Sequence, residues 1–168
     1  LIRHPAGDLV WDTGLPQALA DLPGGLRPNA ETHVTMPRKL TDQLAQLGLT
    51  PADIEFVSVS HSHTDHAGNL GLFAQSTWIA DADERAHMFR PEARADAQAF
   101  SGYAAMENVT PRLIEGDGDH DVFGDGSVTI IQAPGHTPGH TVLMVRLREA
   151  GPILLTGDLW HLAESRPT

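Results

Sequence analysis

The sequence predicts a single α/β domain of helices and layered sheets. Three observations carry that reading. The chain has 168 residues, within the ~100–200 of an ordinary single domain and long enough to bury a sizeable core. Hydrophobic residues at 40% and charged residues at 20% are ordinary for a globular chain, which argues against a disordered or fibrous class. Short β-branched runs and helical spacings follow one another along the chain, with no internal repeat, in an order compatible with a layered sheet sandwich.

The elements follow in order. Leu1 to Gly14 reads as a hairpin with its turn at Pro5-Ala6-Gly7-Asp8 and a strand Leu9-Val10-Trp11 that ends in Asp12-Thr13-Gly14. Leu15 to Thr35 is rich in Pro and Gly and predicts a long surface loop. Thr35 and Pro37 mark a helix start, with Leu40, Leu44 and Leu47 at helical spacing and a stop at Gly48. Ile54 to Ser60 is a buried strand whose end delivers His61, and Thr77 to Ala80 is another strand. Asp81 to Phe100 predicts two helices broken at Pro91, and Asp117 to Gly126 a turn. Ser127 to Ala133, Thr141 to Leu147 and Pro152 to Leu155 are strands, the last ending at Gly157-Asp158.

Charge and composition narrow the chemistry. Twenty-two acidic against eleven basic residues give a net charge of −11, which repels phosphate backbones and makes nucleic acid a poor partner. No apolar run approaches the ~18 residues of a membrane span, so no membrane partner is expected. Localisation stays open, the cytoplasm being only slightly favoured, because the absent initiator Met leaves room for a removed upstream leader. Without Cys there is no disulfide, thiolate site or cysteine nucleophile, so any metal is held by His and carboxylates. Ten His in the chain direct attention to metal chemistry.

His61-Ser62-His63-Thr64-Asp65-His66 places four metal-ligand side chains in six residues, directly after a predicted buried strand. Residues two apart on extended chain project to one side, so His61 and His63 can grip one ion. The turn that follows, loosened by Ala67-Gly68, can bring Asp65 and His66 to a second ion. Imidazole and carboxylate suit zinc, iron, cobalt or manganese. His140 is a candidate support for a ligand, weighed equally against plain packing. His4, His33, His87 and His120 lack ligand-like neighbours. Asp117, Asp119, Asp121 and Asp125 do not match a calcium-loop spacing and predict a solvated turn.

The hexapeptide resembles the His-x-His-x-Asp-His signature of the metallo-β-lactamase superfamily. Companion motifs stand in the family's order: Asp12-Thr13-Gly14 upstream, Gly135-His136 after a strand, and Gly157-Asp158 after the last strand. The resemblance implies an αββα four-layer sandwich over residues 1–168, incomplete at both ends. It implies a first metal on His61, His63 and His136, a second on Asp65 and His66, and Asp158 bridging both. Two divalent ions, with zinc the expected metal, would hold a bridging hydroxide as the nucleophile. Asp65 would carry its proton to the leaving oxygen.

Within the superfamily, the text around Trp11-Asp12-Thr13-Gly14, His61 to Asn69 and Pro134 to His140 looks most like the N-acyl homoserine lactonases, which open the lactone ring of bacterial signalling molecules. These commonly carry a Tyr three residues after the bridging Asp. Here that place holds His161, whose N–H is a candidate donor to the substrate carbonyl. The substrate implied is a small ester or lactone. Thioester and phosphotriester hydrolysis stay open as alternatives on the same scaffold, as does a metal-poor binding module. A homodimer is left open. Phe89, Phe100, Tyr103 and Met106 are weighed between an acyl-chain contact and plain core. The family supplies one further His downstream of the bridging Asp, which implies that the chain is an internal fragment with a weakened second metal site.

Overall fold

The computed structural model describes residues 1–116, 118–160 and 162. Strand β1 (Ile2–His4) turns back through Pro5-Ala6 into β2 (Gly7–Trp11) as an antiparallel hairpin with Ile2 opposite Leu9. β3 (Phe56–Ser58), β4 (Thr77–Asp81) and β5 (Arg112–Ile114) extend this sheet, each parallel to its neighbour in the order β1-β2-β3-β4-β5. Parallel neighbours need crossovers, and the helices supply them. α1 (Leu40–Ala45) lies between β2 and β3, α2 (Thr64–Ala67) between β3 and β4, and α3 (Ala82–Met88) and α4 (Ala97–Ser101) between β4 and β5. The second sheet is antiparallel, in the order β6 (His120–Asp121), β7 (Val128–Gln132), β8 (Thr141–Leu147), β9 (Gly151–Leu155).

Side chains that alternate across the first sheet feed two separate cores, as a period of two requires. Val10, Val57, Trp78 and Ala80 face the helices and pack with Leu44, Leu70, Phe73, Met88 and Met106. Leu9, Trp11 and Ile79 face the other way and meet Val128, Ile130, Leu143 and Val145 of the second sheet. The helices' buried apolar residues fall in the first cluster, so the described chain is layered as helices on sheet on sheet. Among the described residues no helix is long and apolar enough to cross a membrane. Phe89, Phe100, Tyr103 and Met106 join the first core, three of them as edge-to-face rings.

Some boundaries differ from the sequence expectation for identifiable reasons, while the break at Pro91 falls where the sequence places it. α1 begins at Leu40 rather than near Pro37, because Val34 exchanges both backbone hydrogen bonds with Leu26 at 2.8 Å. Its first turn is capped from a distance, with the Gln17 side-chain oxygen accepting from the Thr41 N–H at 3.2 Å. β3 is shorter than Ile54 to Ser60, since the Ile54 N–H closes a turn onto Pro51 and the Ser60 N–H goes to the Asp12 carboxylate. Pro91 opens a 3-10 turn, Pro91–Ala95, that separates α3 from α4. The strand β5 had no clear signal, for Arg112 and Leu113 are both exposed.

In a parallel sheet the carboxyl ends of the strands share one edge, where open α/β sheets place their sites. Asp12 follows β2, His61 lies shortly after β3, and Asp81 ends β4, so this edge gathers the polar residues of interest. The packing between the sheets makes a direct prediction. Leu143 is fully buried in the second core, and Leu143→Ala should lower the unfolding free energy by about 2–5 kcal/mol in denaturant titration. Leu147→Ala, at a site 45% exposed, should change it by no more than ~0.5 kcal/mol.

Candidate metal centre

Four polypeptide segments converge at that edge. The extended stretch after β3 carries His61 and His63, and His63 is also the N-cap residue of α2. The helix then carries Asp65 and His66, with the His66 ring centroid 4.2 Å from that of His61. His136 comes from the loop between β7 and β8, and Asp158 from the turn after β9. One ligand atom each from His61, His63, His136 and Asp158 lies within 4.8 Å of the other three. His63 Nδ1 is 3.1 Å from His136 Nε2, and His136 Nε2 is 3.3 Å from Asp158 Oδ2. These spacings are close to the roughly 3.3 Å edge of a tetrahedron whose metal–nitrogen bonds are about 2.0–2.1 Å.

Neighbouring hydrogen bonds set which nitrogen of each ring faces inward. The Ser60 hydroxyl donates to Asp12 Oδ2 at 3.0 Å and accepts from His61 Nδ1–H at 3.0 Å. His61 is therefore left with a lone pair on Nε2, which is fully buried and has no hydrogen-bond partner. An orphaned buried nitrogen aimed into an imidazole–carboxylate cluster fits a bound cation, since buried polar atoms otherwise find partners. Burial first, and then the neighbouring His66, His63, His136 and His140, push the His61 pKa down to about 3. Metal ligands must be deprotonated, and His61 meets that condition at any ordinary pH.

A second group adjoins the first through the same carboxylate. Asp158 Oδ1 is 3.2 Å from His66 Nε2, while its Oδ2 faces His136 and, at 3.9 Å, His61. Asp65 Oδ2 lies 3.6 Å from His66 Nε2 on an exposed side chain. His66 Nδ1–H donates to Asp12 Oδ2 at 2.9 Å, which leaves Nε2 for the group around Asp158. Burial works to lower the His66 pKa, but the hydrogen bond and charge of Asp12, with Asp65 and Asp158, outweigh it and raise the pKa.

Three residues beyond these hold the arrangement. Asp12 sits at φ 54°, in the left-handed region that non-glycine residues seldom occupy. Its carboxylate there accepts from the Ser60 N–H at 2.6 Å as well as from Ser60 and His66 side chains. His140 is fully buried; its Nδ1–H donates to the Ala133 carbonyl at 3.2 Å, and its Nε2 accepts from the Asp158 N–H at 3.1 Å. It thereby fixes the backbone that presents Asp158. Gly157, at φ +49°, passes so close to this pair that a Cβ would stand 2.9 Å from His140 Nε2.

The structure thus brings together His61, His63, His136 and Asp158, with His66 and Asp65 adjoining. His161 lies outside the described residues. His140 takes the supporting place that the sequence had left balanced against packing. In the sequence Asp12 stands out only as part of a companion motif and Ser60 only as the end of a predicted strand; a polar residue closing a buried β-branched run is the available signal for its role. His4 and His33 bind elsewhere, His4 to Asp125 at 3.0 Å and His33 to the Gly24 carbonyl at 2.7 Å. Asp121 makes a turn, accepting from three backbone N–H groups between Phe123 and Gly126.

Comparison with known proteins agrees with this geometry. The N-acyl homoserine lactonase AttM of Rhizobium radiobacter is 38% identical over 168 residues, covering 94% of this chain and 62% of the relative. The N-acyl homoserine lactonase AiiA of Bacillus thuringiensis subsp. kurstaki is 26% identical, covering 98% of this chain and 64% of its own length. The chain therefore spans a little under two thirds of these relatives. Among solved structures, an N-acyl homoserine lactone hydrolase with its product N-hexanoyl-L-homoserine bound at the catalytic metal centre superposes with a TM-score of 0.67. It is 25% identical, with 88% of this chain and 57% of that one covered. The family description "Metallo-beta-lactamase superfamily" matches residues 1–165, and the chain belongs to that superfamily.

Proposed function

We propose that this chain carries the metal centre of a hydrolase that opens the lactone ring of N-acyl homoserine lactones. The observation that carries the proposal is the placement of Asp158, whose two carboxylate oxygens face two different sets of imidazoles. A carboxylate so placed suits two cations, and we assign His61, His63 and His136 to one, Asp65 and His66 to the other, with Asp158 shared. Zinc is the metal we expect, since three imidazoles and a carboxylate are its usual donors. A bound divalent ion supplies Lewis-acid polarisation of a carbonyl and water activated near neutral pH.

The chain's own residues do the rest. His66 Nδ1 is engaged by Asp12 and His61 Nδ1 by Ser60, so each ring turns its Nε2 toward Asp158. Asp65 is 59% exposed at its side chain, open to substrate yet beside His66. It is the group we assign to take a proton from the attacking water and deliver it to the ring oxygen as the ester bond breaks. The curated relatives with which the chain shares 38% and 26% identity are both N-acyl homoserine lactonases, which supports a cyclic ester over a thioester or phosphotriester.

Two outcomes follow. Metal-loaded protein should release one equivalent of acid from N-acyl homoserine lactones in a pH-stat assay, and turnover of thioesters without lactones would reject the lactone assignment while keeping the superfamily. Asp65→Asn should reduce turnover by about 10²–10⁴-fold while metal content, by elemental analysis, falls far less. Parallel losses of metal and turnover would make Asp65 a ligand alone.

A further inference from the structure

Helix α3 contributes no residue to the cluster, yet it buries a carboxylate against two of the segments that do. Glu84 is 3% exposed. Its Oε1 accepts from the Ser62 N–H at 2.7 Å, and its Oε2 accepts from the Thr137 hydroxyl at 2.6 Å and the Gly139 N–H at 3.2 Å. Ser62 stands between His61 and His63, and Thr137 follows His136. A single side chain therefore ties the segment holding two imidazoles to the segment holding the third, with His63 and His136 73 residues apart in sequence.

All three donors are neutral, so the carboxylate is satisfied by hydrogen bonds alone. Such charge-assisted bonds are short and about twice as strong as neutral ones, and burial of a charge is costly unless they are all made. An apolar side chain would fill the same place on the helix without that cost but would leave the Ser62 and Gly139 amides unpaired. The surroundings are built to the same end. Asp81 caps α3, accepting from the Glu84 N–H at 3.2 Å, and its other oxygen accepts from Gln132 at 2.6 Å, at the end of β7 before the His136 loop. Gly139 passes so close to the helix that a Cβ there would collide with Asp81 Oδ1 and the Glu84 backbone nitrogen.

We propose that Glu84 is a positioning residue for the first metal site, setting the separation of the His61–His63 pair from His136. The proposal rests on the metal reading of the site and is independent of the substrate. Cobalt(II) is the probe, because its visible d–d absorption reports coordination number and geometry as well as occupancy. In the wild-type chain, competition with a chelator gives the reference affinity and spectrum. Glu84→Ala should weaken cobalt binding by roughly 10–100-fold, the range seen when groups supporting metal ligands are removed, and should change the band shape. Glu84→Gln keeps the size and can satisfy Ser62 and Thr137 but not Gly139, so it should recover most of the affinity. Thr137→Val, which removes one of the three bonds and preserves volume, should cost severalfold and serves where Glu84→Ala does not fold.

Ser76→Ala is the control, a buried hydroxyl bonded to the Ile54 carbonyl at 2.7 Å away from the metal loops. It should lower the Tm and leave the cobalt spectrum and affinity at wild-type values. Glu84 variants that lose Tm while keeping both cobalt readouts, or a Ser76→Ala variant that loses cobalt equally, would overturn the proposal. A wild-type chain that takes up no cobalt would overturn the metal reading itself, and this inference with it.

Discussion

One carboxylate stands between two sets of imidazole nitrogens, and the surrounding chain is arranged to keep it there. The Asp158 backbone is held by His140, which must be neutral with its proton on Nδ1 to serve the Ala133 carbonyl and Asp158 N–H together. Burial is the main cause of a His140 pKa below the usual value, consistent with that role. Gly157 is required for the same approach, since a side chain there would meet His140 and Ser60. The backbone that presents the carboxylate is thus fixed from outside the cluster, while its oxygens face His66 and His136.

The imidazoles are prearranged by a second set of acids that bind no metal on this reading. Asp12 fixes His66 directly and His61 through Ser60, and Glu84 ties the two imidazole-bearing loops together. Both lie at or just beyond the carboxyl ends of the parallel strands, Asp12 after β2 and Glu84 on the helix that β4 leads into. The sheet therefore sets the distance between these supports, and its two cores hold the sheet. Burial, and after it the neighbouring imidazoles, depresses the His61 pKa, and leaving its Nε2 buried without a hydrogen-bond partner has a cost. A bound cation relieves that cost by accepting the lone pairs, which is how metal binding couples to stability in such sites.

The residues that the fold brings together here are legible in the sequence because His61, His63, Asp65 and His66 lie within six positions, and nearness on a strand end and the following turn is enough to put them in one place. His136 and Asp158 followed from the resemblance, as glycine-flanked residues at strand ends. The supports were not legible. Asp12 reaches His66 across a sequence gap of 54 residues, and Glu84, in a segment rich in Ala, Glu and Arg, has the local look of a solvated helix face. The strands of β-branched residues, β7 and β8 above all, were found nearly to the residue. Boundaries failed where a distant group intervened, as at α1, whose first turn is capped by Gln17, and at the end of β3, where Asp12 takes the next amide.

On the proposed function Asp158 lies between two cations, and anomalous diffraction at the zinc edge from crystals of the zinc-loaded protein tests this directly. Two peaks are expected, one within the His61, His63 and His136 group and one beside His66 and Asp65, with an Asp158 oxygen directed at each. A single peak with Asp158 turned from it, or no peak at the cluster, would contradict it.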